Sequence, residues 1–341
     1  MATKPVLLLE WTLNMDKLLV TGASGFIGSH LAEELVRRGC RVSCLVRRTS
    51  RVSELERLPV RLVAGDYMDP ASLEEAVRGQ DAVFHLAAVL NGRDWETFHR
   101  ANILSTRNLL KACLKANPGL KSFVFVSSIS AVGPSSGGQR LDEQAPCRPV
   151  SFYGRSKLEA EQAVKGCGSR LPWVIIRPPN VLGPRQSELL QAIKLLRKGI
   201  MPVVGSGRPQ TSVCDVEDLV QALILAAWRG EAAGQTYLVT DGREYAWREI
   251  TLALAEELGV NRIWLKVPYS LQYALAWLAE ETSRLTNKRP LLSRELLRSG
   301  QRFEWLYDGG KIQKELGFLP RYTMRDSVRR TVAWYREQGR V

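Results

Sequence analysis

The amino-acid sequence predicts an α/β fold: a doubly wound parallel sheet joined to a smaller, mostly helical C-terminal lobe. The first observation is that short apolar runs alternate with segments of helical periodicity through residues 15–182. The second is a glycine cluster between the first predicted strand and the first predicted helix, at residues 21–28. The third is that the other marked loops also follow predicted strands, where sheets of this kind bind their ligands.

The first strand–loop–helix–strand unit spans residues 17–48. An apolar run at 18–20 has strand length, and apolar residues then recur at helical spacing. At the joint, Gly22 permits a tight turn, Gly25 lets the backbone approach a pyrophosphate, and Gly28 lets helix and strand pack closely. The free N–H groups at the helix start would hold the phosphates. The unit therefore predicts the dinucleotide-binding loop of a Rossmann-type domain.

The end of the second predicted strand bears on the choice of cofactor. An acidic residue there hydrogen-bonds the ribose of NAD, whereas an arginine accommodates the 2′-phosphate of NADP. This chain has Arg47 and Arg48, and no acidic residue follows before Glu54. The pattern favours NADP over NAD. The alternative interpretation is that both arginines are merely solvated.

Composition narrows the classes of partner. The chain has 341 residues, 45% hydrophobic and 24% charged, as in ordinary soluble globular proteins. Its formal net charge of +13 is concentrated late, with 14 Lys/Arg against 6 Asp/Glu from Arg284 onward. These charges are spread among acids without a basic–aromatic stripe, so they indicate a solvated surface rather than nucleic-acid binding. The expected partner is a small-molecule substrate.

Cysteine usage and hydropathy bear on metal binding and location. The six cysteines show no paired spacing of a zinc or redox site, and only three histidines are present, so no metal site is predicted. Free thiols fit a reducing cytosol and predict a cytoplasmic protein. Residues 1–14 are too short and poorly flanked for a signal peptide and are interpreted as an N-terminal extension. No membrane span is predicted.

The predicted division of the chain follows the loosening of the strand–helix alternation. Residues 15–182 form the NAD(P)-binding domain and residues 183–341 the substrate-binding lobe, from which the chain is expected to cross back to the sheet. The elements predicted after residue 182 are helices at about 187–198, 215–228, 246–258, 268–285, 308–316 and 324–338, and short strands near 202–204, 236–239 and 263–266.

Tyr153 and Lys157 provide the chemistry expected of a hydride-transfer enzyme. Four residues apart, they lie on one face of a predicted helix at 151–165. Carbonyl reduction needs a proton as hydride arrives, and alcohol oxidation needs a base. A neighbouring ammonium lowers the pKa of a phenol, and a hydroxyl such as that of Ser128 can hold the substrate oxygen. Taken alone, this pair is a weak signal, because Tyr and Lys often share a helix face by chance.

Seven motifs in a fixed order strengthen the interpretation. Together they resemble the extended branch of the short-chain dehydrogenase/reductase family, also called the NAD-dependent epimerase/dehydratase family, from Lys17 to about Gln338. The motifs are Thr21-Gly22-x-x-Gly25-x-x-Gly28, Asp66, Ala87-Ala88, Asn102, Ser127-Ser128, Tyr153-x-x-x-Lys157 and Arg177-Pro178-Pro179-Asn180-Val181-x-Gly183-Pro184.

The resemblance implies roles for the catalytic candidates. Tyr153 would be the general acid/base, and Lys157 would tune its pKa and bind the cofactor ribose. Ser128 would hold the substrate oxygen, with Ser127 as the alternative. Asn102 is expected to bridge backbone groups rather than take part in the chemistry.

The resemblance also implies how the cofactor is surrounded. Asp66 would meet the adenine, with a helix cap as its alternative role. Ala87 and Ala88 would line the cofactor channel, and Asn180 and Val181 would approach the nicotinamide. The cofactor-binding candidates are Thr21, Gly22, Ser24, Gly25, Phe26, Ile27, Gly28, Arg47, Asp66, Tyr67, Ala87, Ala88, Tyr153, Lys157, Pro178, Asn180 and Val181.

Departures from the family pattern guide the choice of reaction. Dehydratases of sugar nucleotides have Thr-Asp-Glu where this chain has Ser128-Ile129-Ser130, and an arginine for the sugar-nucleotide diphosphate is missing before Ser212. Leu45-Val46-Arg47 and the stretches 268–285 and 289–293 resemble the dihydroflavonol reductase and 3-beta-hydroxysteroid dehydrogenase branch. The stretch 268–285 either covers an apolar substrate or packs on the core.

Three functions stay open at this point. The favoured one is an NAD(P)-dependent oxidoreductase that interconverts a secondary alcohol and a carbonyl on a small apolar substrate. The alternatives are an NDP-sugar epimerase and, of another class, a non-catalytic cofactor-binding assembly or regulatory protein. The resemblance further implies a homodimer through the helices at 95–116 and 151–165. Substrate specificity is expected to lie in residues 89–98 and in the C-terminal lobe.

Overall fold

The computed structural model describes residues 13–92, 94–199, 208–260, 269–286, 297 and 303–341. The predicted strands near 202–204 and 263–266 and the stretch 289–293 lie outside the described residues. Residues 1–12 of the predicted extension also lie outside them. The observations below concern the described residues.

A seven-stranded, fully parallel sheet forms the centre of the molecule, which confirms the predicted doubly wound α/β fold. The strand order β3-β2-β1-β4-β5-β6-β9 reverses direction between β1 and β4, which is where such sheets bind ligands. The strands are β1 Lys17–Thr21, β2 Arg41–Val46, β3 Arg61–Ala64, β4 Ala82–His85, β5 Ser122–Val126, β6 Trp173–Arg177 and β9 Gln235–Leu238.

Helices cover both faces of this sheet and build the C-terminal lobe. Each apolar face packs on buried strand residues, so that one core cluster lies on each side of the sheet. The helices are α1 Phe26–Arg37, α2 Pro70–Val77, α3 Trp95–Phe98, α4 Ser105–Ala116, α5 Phe152–Lys165, α6 Ser187–Arg197, α7 Val216–Trp228, α8 Trp247–Leu258, α9 Tyr269–Thr286, α10 Gly310–Leu316 and α11 Met324–Glu337.

Local sequence explains where several helices begin. The Asp69 carboxylate accepts the Ala71 N–H and Pro70 occupies the first helical position, so α2 starts with a side-chain cap. Ser151 caps α5 by accepting the Gly154 N–H at 2.9 Å. The predicted helix at 95–116 is interrupted at His99–Leu104 by a π-helical segment between α3 and α4. Such wide turns are common at functional sites.

The C-terminal half also contributes to the large sheet. Strand β9 pairs with β6, and α7 packs its buried face beside α1 in the same core. A separate three-stranded sheet consists of β7 Asn180–Leu182, β8 Gln210–Asp215 and β10 Glu244–Ala246. The division at residue 182 stays a prediction.

The helices and the metal-ligating side chains of the described residues bear on membrane spans and metal sites. No helix in these ranges is long and apolar enough to cross a membrane. Within the same ranges, no group of three or more His, Cys, Asp or Glu side chains is arranged to hold a metal ion. All six cysteines are free thiols.

Candidate active site

The loop after β1 and the first turn of α1 are packed too closely to admit side chains at two glycines. Gly22 has a φ of +72°, and a Cβ there would lie 2.7 Å from the backbone nitrogen of Ala87. A Cβ at Gly28 would lie 2.2 Å from the Gly22 carbonyl oxygen. The loop after β1 and the loop after β4 are therefore in direct contact at the switch point of the sheet.

The first turn of α1 follows this loop and faces outward at the switch point. Gly25 is the N-cap, no side chain caps the helix, and its first turn contains no acidic residue. Ser24 and Gly25 are exposed, while Phe26 and Ile27 are half-buried. Backbone N–H groups at a helix start without a capping carboxylate fit a phosphate. The residues present therefore fit the pyrophosphate of a nicotinamide dinucleotide.

Arg47 lies at the end of β2 with its side chain exposed. In the described part of the chain it makes no ion pair. Glu54, the first acidic residue after β2, faces Arg185 instead, with a nitrogen–oxygen separation of 3.6 Å. The end of β2 therefore carries an exposed guanidinium that is not paired with Glu54. That Arg47 contacts the cofactor ribose stays a prediction.

Asp66 and Tyr67 follow β3. The exposed Asp66 carboxylate accepts the Met68 N–H at 2.9 Å, so it closes a local turn, while Asp69 is the residue that caps α2. Burial raises the pKa of Tyr67 to about 12, opposed by the neighbouring Thr21 hydroxyl and by the nearby Arg47 charge. Tyr67 therefore lies between the end of β1 and the end of β2.

Ser128 and Ser127 point in different directions at the end of β5. The Ser128 hydroxyl accepts the Ser130 N–H at 3.1 Å and lies close enough to the phenol of Tyr153 to influence its pKa. The Ser127 hydroxyl is buried and donates to the Glu161 carboxylate at 2.5 Å, beside the buried Glu161–Arg177 ion pair. Of the two serines, only Ser128 is placed beside the Tyr153 hydroxyl.

Tyr153 is half-buried near the start of α5. Burial raises the pKa of its phenol to about 12, and the neighbouring Ser128 hydroxyl opposes that rise. The phenol therefore carries its proton at neutral pH. Its ring lies 6.4 Å from the Phe98 ring, centroid to centroid, so that side of the site is apolar.

The Lys157 amine is turned toward the protein interior. It donates to the Val126 carbonyl oxygen at 2.7 Å and lies 4.2 Å from the centroid of the Phe125 ring. Burial lowers the pKa of Lys157 to about 7, opposed by the Glu161 charge. The sequence led us to expect that this ammonium lowers the Tyr153 pKa. In the structure its amine donates to the β5 carbonyl oxygen of Val126, and an effect of Lys157 on the Tyr153 pKa stays a prediction.

The loop after β6 closes the site from the other side. The Pro178 carbonyl accepts the Ile129 N–H at 3.1 Å, which holds this loop against the Ser128 turn. The Asn180 side chain donates to the Thr211 hydroxyl at 2.8 Å, and Val181 is buried. The predicted candidates from β1, β4, β5, β6 and α5 thus meet at the carboxyl edge of one sheet.

The part of the chain that contains these site residues matches a known protein family. The family model described as the NAD dependent epimerase/dehydratase family matches residues 18–240, which include the glycine loop, Ser128, Tyr153 and Lys157. The chain belongs to the NAD dependent epimerase/dehydratase family. It is an enzyme of this family, many of whose members are named as reductases, epimerases or dehydratases.

Three proteins that are similar to this epimerase/dehydratase chain are named for different activities. It is 31% identical to a putative dihydroflavonol 4-reductase of Synechocystis sp., covering 97% of this chain and 98% of that protein. It is 30% identical to a 4-hydroxy-2-methyl-3-oxo-4-farnesyl-3,4-dihydroquinoline-1-oxide ketoreductase of Stigmatella aurantiaca, covering 92% and 94%. The dTDP-glucose 4,6-dehydratase DesIV of Streptomyces venezuelae, solved with NAD bound, is 27% identical with a TM-score of 0.77, covering 94% and 97%.

The structure explains one residue of this epimerase/dehydratase site that residue spacing did not single out, Gly154, and confirms that Asn102 bridges backbone groups. A Cβ at Gly154 would lie 2.2 Å from the Ser130 carbonyl oxygen, so only glycine lets α5 approach the Ser128 turn this closely. Asn102 lies on the π-helical segment, where its side chain accepts the Val89 N–H at 2.8 Å and donates to the Val89 carbonyl at 3.0 Å. The only sequence signal for Gly154 was its place next to Tyr153.

Aromatic side chains cluster at α3 and at the start of α5, the helix that carries Tyr153. The Trp95 and Phe152 rings lie 6.0 Å apart, and the Arg155 guanidinium lies 4.2 Å from the Trp95 ring centroid. Phe152 is 49% exposed and Leu90 58% exposed, although both are large apolar residues. The start of α5 and the loop after β4 therefore each expose a large apolar side chain.

Proposed function

We propose that this enzyme is an NADP-preferring reductase/dehydrogenase that interconverts a secondary alcohol and a ketone or aldehyde on a small apolar substrate. The observation that supports the proposal is the proximity of the Ser128 hydroxyl to the Tyr153 phenol at the edge of the sheet where the glycine loop lies. In this proposal a proton donor and an oxygen-holding hydroxyl act together beside the loop that binds the dinucleotide.

The two hydroxyl groups have complementary roles in carbonyl reduction. Ser128 donates a hydrogen bond to the carbonyl oxygen and orients it, and Tyr153 supplies the proton that turns the developing alkoxide into an alcohol. A bound nicotinamide supplies hydride to the carbonyl carbon in this direction and accepts it in the other. Because the Tyr153 phenol is protonated at neutral pH, the resting site is prepared for reduction.

Two features support an apolar carbonyl over a sugar nucleotide. The Phe98 ring beside Tyr153 and the exposed Leu90 side chain suit an apolar substrate. Two of the relatives are named as reductases of carbonyls on larger organic molecules. An NDP-sugar epimerase remains the competing function because DesIV acts on a dTDP-sugar.

Incubation with NADPH and a panel of apolar ketones and aldehydes tests the reaction. We expect loss of NADPH absorbance with at least one carbonyl, matched by formation of the alcohol. UDP- and dTDP-sugars form the comparison arm. Conversion of a sugar nucleotide to its epimer without net cofactor change would overturn the reductase assignment, and bound cofactor that no carbonyl oxidises would favour a non-catalytic binding protein.

The NADP preference rests on Arg47 and on the engagement of Glu54 by Arg185. Arg47→Ser removes the cation at the end of β2 and should weaken NADPH binding about tenfold or more, with little change for NADH. Arg57→Ser, at an exposed arginine that is not a candidate site residue, is the matched control. The measurement is the dissociation constant of each dinucleotide by fluorescence, and tighter NADH binding by the wild type would contradict the preference.

A further inference from the structure

A chain of buried hydrogen bonds runs from the end of β1 into the π-helical segment. The Thr21 hydroxyl lies 2.7 Å from His85 Nδ1, and His85 Nε2 lies 3.0 Å from the Thr106 hydroxyl. The Thr106 hydroxyl in turn donates to the Asn102 carbonyl oxygen at 2.6 Å. His85 thus joins the strand that carries the glycine loop to the helix that carries Asn102.

The same chain continues from Asn102 to the backbone of Tyr153. The Asn102 side chain donates to the Ser156 hydroxyl at 2.9 Å, and that hydroxyl donates to the Tyr153 carbonyl oxygen at 2.7 Å. All four linking side chains are fully or almost fully buried: His85, Thr106, Asn102 and Ser156. Buried polar contacts of this kind are not screened by water.

The direction of each hydrogen bond follows from the number of protons available. Thr106 must give its single hydroxyl proton to the Asn102 carbonyl, which cannot donate. Thr106 therefore accepts from His85, which places the ring proton on Nε2. Nδ1 is left as an acceptor, so Thr21 donates to it.

The imidazole is held as a neutral, fixed ring. Burial lowers the pKa of His85 to about 3, and the Lys157 charge acts in the same direction. The ring packs among Tyr67, Phe123 and Phe125, with centroid separations of 6.1, 6.1 and 5.7 Å. A neutral imidazole with one donor and one acceptor is the side chain that satisfies both threonines at once.

We propose that His85 is a positioning residue that couples the glycine loop to Tyr153 through Thr21, Thr106, Asn102 and Ser156. The inference rests on the proposed function, in which the loop binds the dinucleotide and Tyr153 transfers the proton. Ordering the glycine loop orders the first turn of α5, and disturbance at either end is transmitted to the other.

The test removes one hydroxyl at each end and measures the effect at the opposite end. Thr106→Val, on the helix side, should weaken binding of whichever nicotinamide dinucleotide the wild type binds more tightly, by about threefold to tenfold. Thr21→Val, on the loop side, should speed amide hydrogen exchange in residues 152–157 by about the same factor. Thr106→Ser restores the hydroxyl and should restore affinity.

Thr331→Val is the matched control. Thr331 is fully buried in α11 and donates to the carbonyl four residues earlier at 2.6 Å, as Thr106 does, but it lies outside this chain of hydrogen bonds. We expect it to lower the melting temperature without changing dinucleotide affinity or exchange in residues 152–157. This control separates coupling from general loss of stability.

The outcomes separate this inference from the proposed function. In Thr21→Val/Thr106→Val, coupling predicts a loss of dinucleotide affinity smaller than the product of the two single losses. Unchanged affinity in Thr106→Val, unchanged exchange in Thr21→Val, or a double-variant loss equal to that product would overturn the coupling, whatever the activity. An inactive wild type that still shows the coupling would overturn only the proposed reaction.

Discussion

Ser127 and Ser128 are neighbours in sequence, yet their hydroxyls have different surroundings. Ser128 contacts the Tyr153 phenol, while Ser127 is enclosed with Glu161 and Arg177. Adjacent residues at a strand end point to opposite faces, so one serves the site and the other the interior. Their substitutions should therefore have separable effects.

The first prediction compares two serine variants. Ser128→Ala should lower kcat by about tenfold or more because the substrate oxygen loses its donor. Its melting temperature should fall less than that of Ser127→Ala, because only the half-buried Ser130 N–H loses its acceptor. Ser127→Ala should instead lower the free energy of unfolding by about 1–3 kcal/mol, since buried Glu161 loses a charge-assisted hydrogen bond. Steady-state kinetics and thermal unfolding of both variants check this, and the reverse pattern would assign the catalytic role to Ser127.

The second prediction concerns stability and the protonation of Lys157. Its pKa in the folded state, about 7, is below the ordinary value of 10.5, so the unfolded chain binds this proton more tightly. Below about pH 7 the buried ammonium costs stability, and this cost is relieved as the pH rises toward about 10. The free energy of unfolding of the wild type should therefore rise relative to Lys157→Met over that range. A pH-independent difference in urea unfolding would contradict the assignment.

The spacing of Tyr153 and Lys157 could be predicted from sequence, but the direction of the amine could not. Helical periodicity fixes which residues share a face, and it was sufficient to predict that Tyr153 and Lys157 lie on one face of α5. The contact of Lys157 with the Val126 carbonyl depends on how closely α5 packs on β5. Such tertiary distances leave no trace in the spacing of residues along one helix.

At the scale of elements, the approach of α5 to the Ser128 turn depends on Gly154. The Ser130 carbonyl occupies the space that any β-carbon would need. A glycine inside a helix costs about 1 kcal/mol relative to alanine, so its place near the start of α5 indicates that the close approach outweighs this cost. The relation between α5 and β5 in turn sets the distance between Tyr153 and Ser128.

The third prediction follows from that contact. Gly154→Ala should reduce kcat by about tenfold to a hundredfold, because α5 must shift away from Ser130 and misplace Tyr153. It should also lower the melting temperature despite the higher helix propensity of alanine. Gly119→Ala is the control because no atom lies within 4 Å of the added carbon. Normal activity of Gly154→Ala would contradict the close approach.

Elements with strong periodicity were predicted well, and irregular or short ones were not. The β1–α1–β2 unit, β4, β5, β6 and the helix containing Tyr153 agree with the structure within a few residues. The π-helical segment at 99–104 was missed because the apolar spacing continues through it. Strands β8 and β10 were missed because three to six residues of mixed polarity carry no alternating pattern.

At the scale of the whole molecule, Asp215 connects three elements of the C-terminal half, one of them a strand of the three-stranded sheet. Its carboxylate accepts the Glu217 N–H at 2.8 Å, which caps α7, and the Ser327 hydroxyl at 2.6 Å. The Arg330 guanidinium lies 3.0 Å from both oxygens. One buried carboxylate therefore ties β8, α7 and α11 together.

The fourth prediction is that Asp215→Asn lowers the free energy of unfolding by about 2 kcal/mol, because the charge-assisted bonds to Arg330 and Ser327 weaken. Arg325→Ala is the control. Arg325 is exposed on α11, the helix that also carries Arg330, and pairs with Glu256 of α8 at 2.7 Å. Ion pairs on the surface contribute little to the free energy of unfolding. Urea unfolding measures both variants, and equal effects would contradict the role of Asp215.

The predicted homodimer concerns the same scale and remains a proposal. The helices expected to form it, α3 to α5, expose Phe152 and Arg155 beside Trp95. Apolar and planar cationic groups of this kind are common at interfaces. A mass in solution of one 38.2 kDa chain would remove the proposal, and twice that mass would support it.

The central claim is that Tyr153 transfers the proton while the glycine loop binds the dinucleotide. Tyr153→Phe tests it most directly, because it removes one hydroxyl and keeps the ring that packs on Phe98. We predict that kcat for carbonyl reduction falls by about a hundredfold to ten-thousandfold, while the NADPH dissociation constant changes by less than about twofold. Near-normal turnover by Tyr153→Phe would contradict the account.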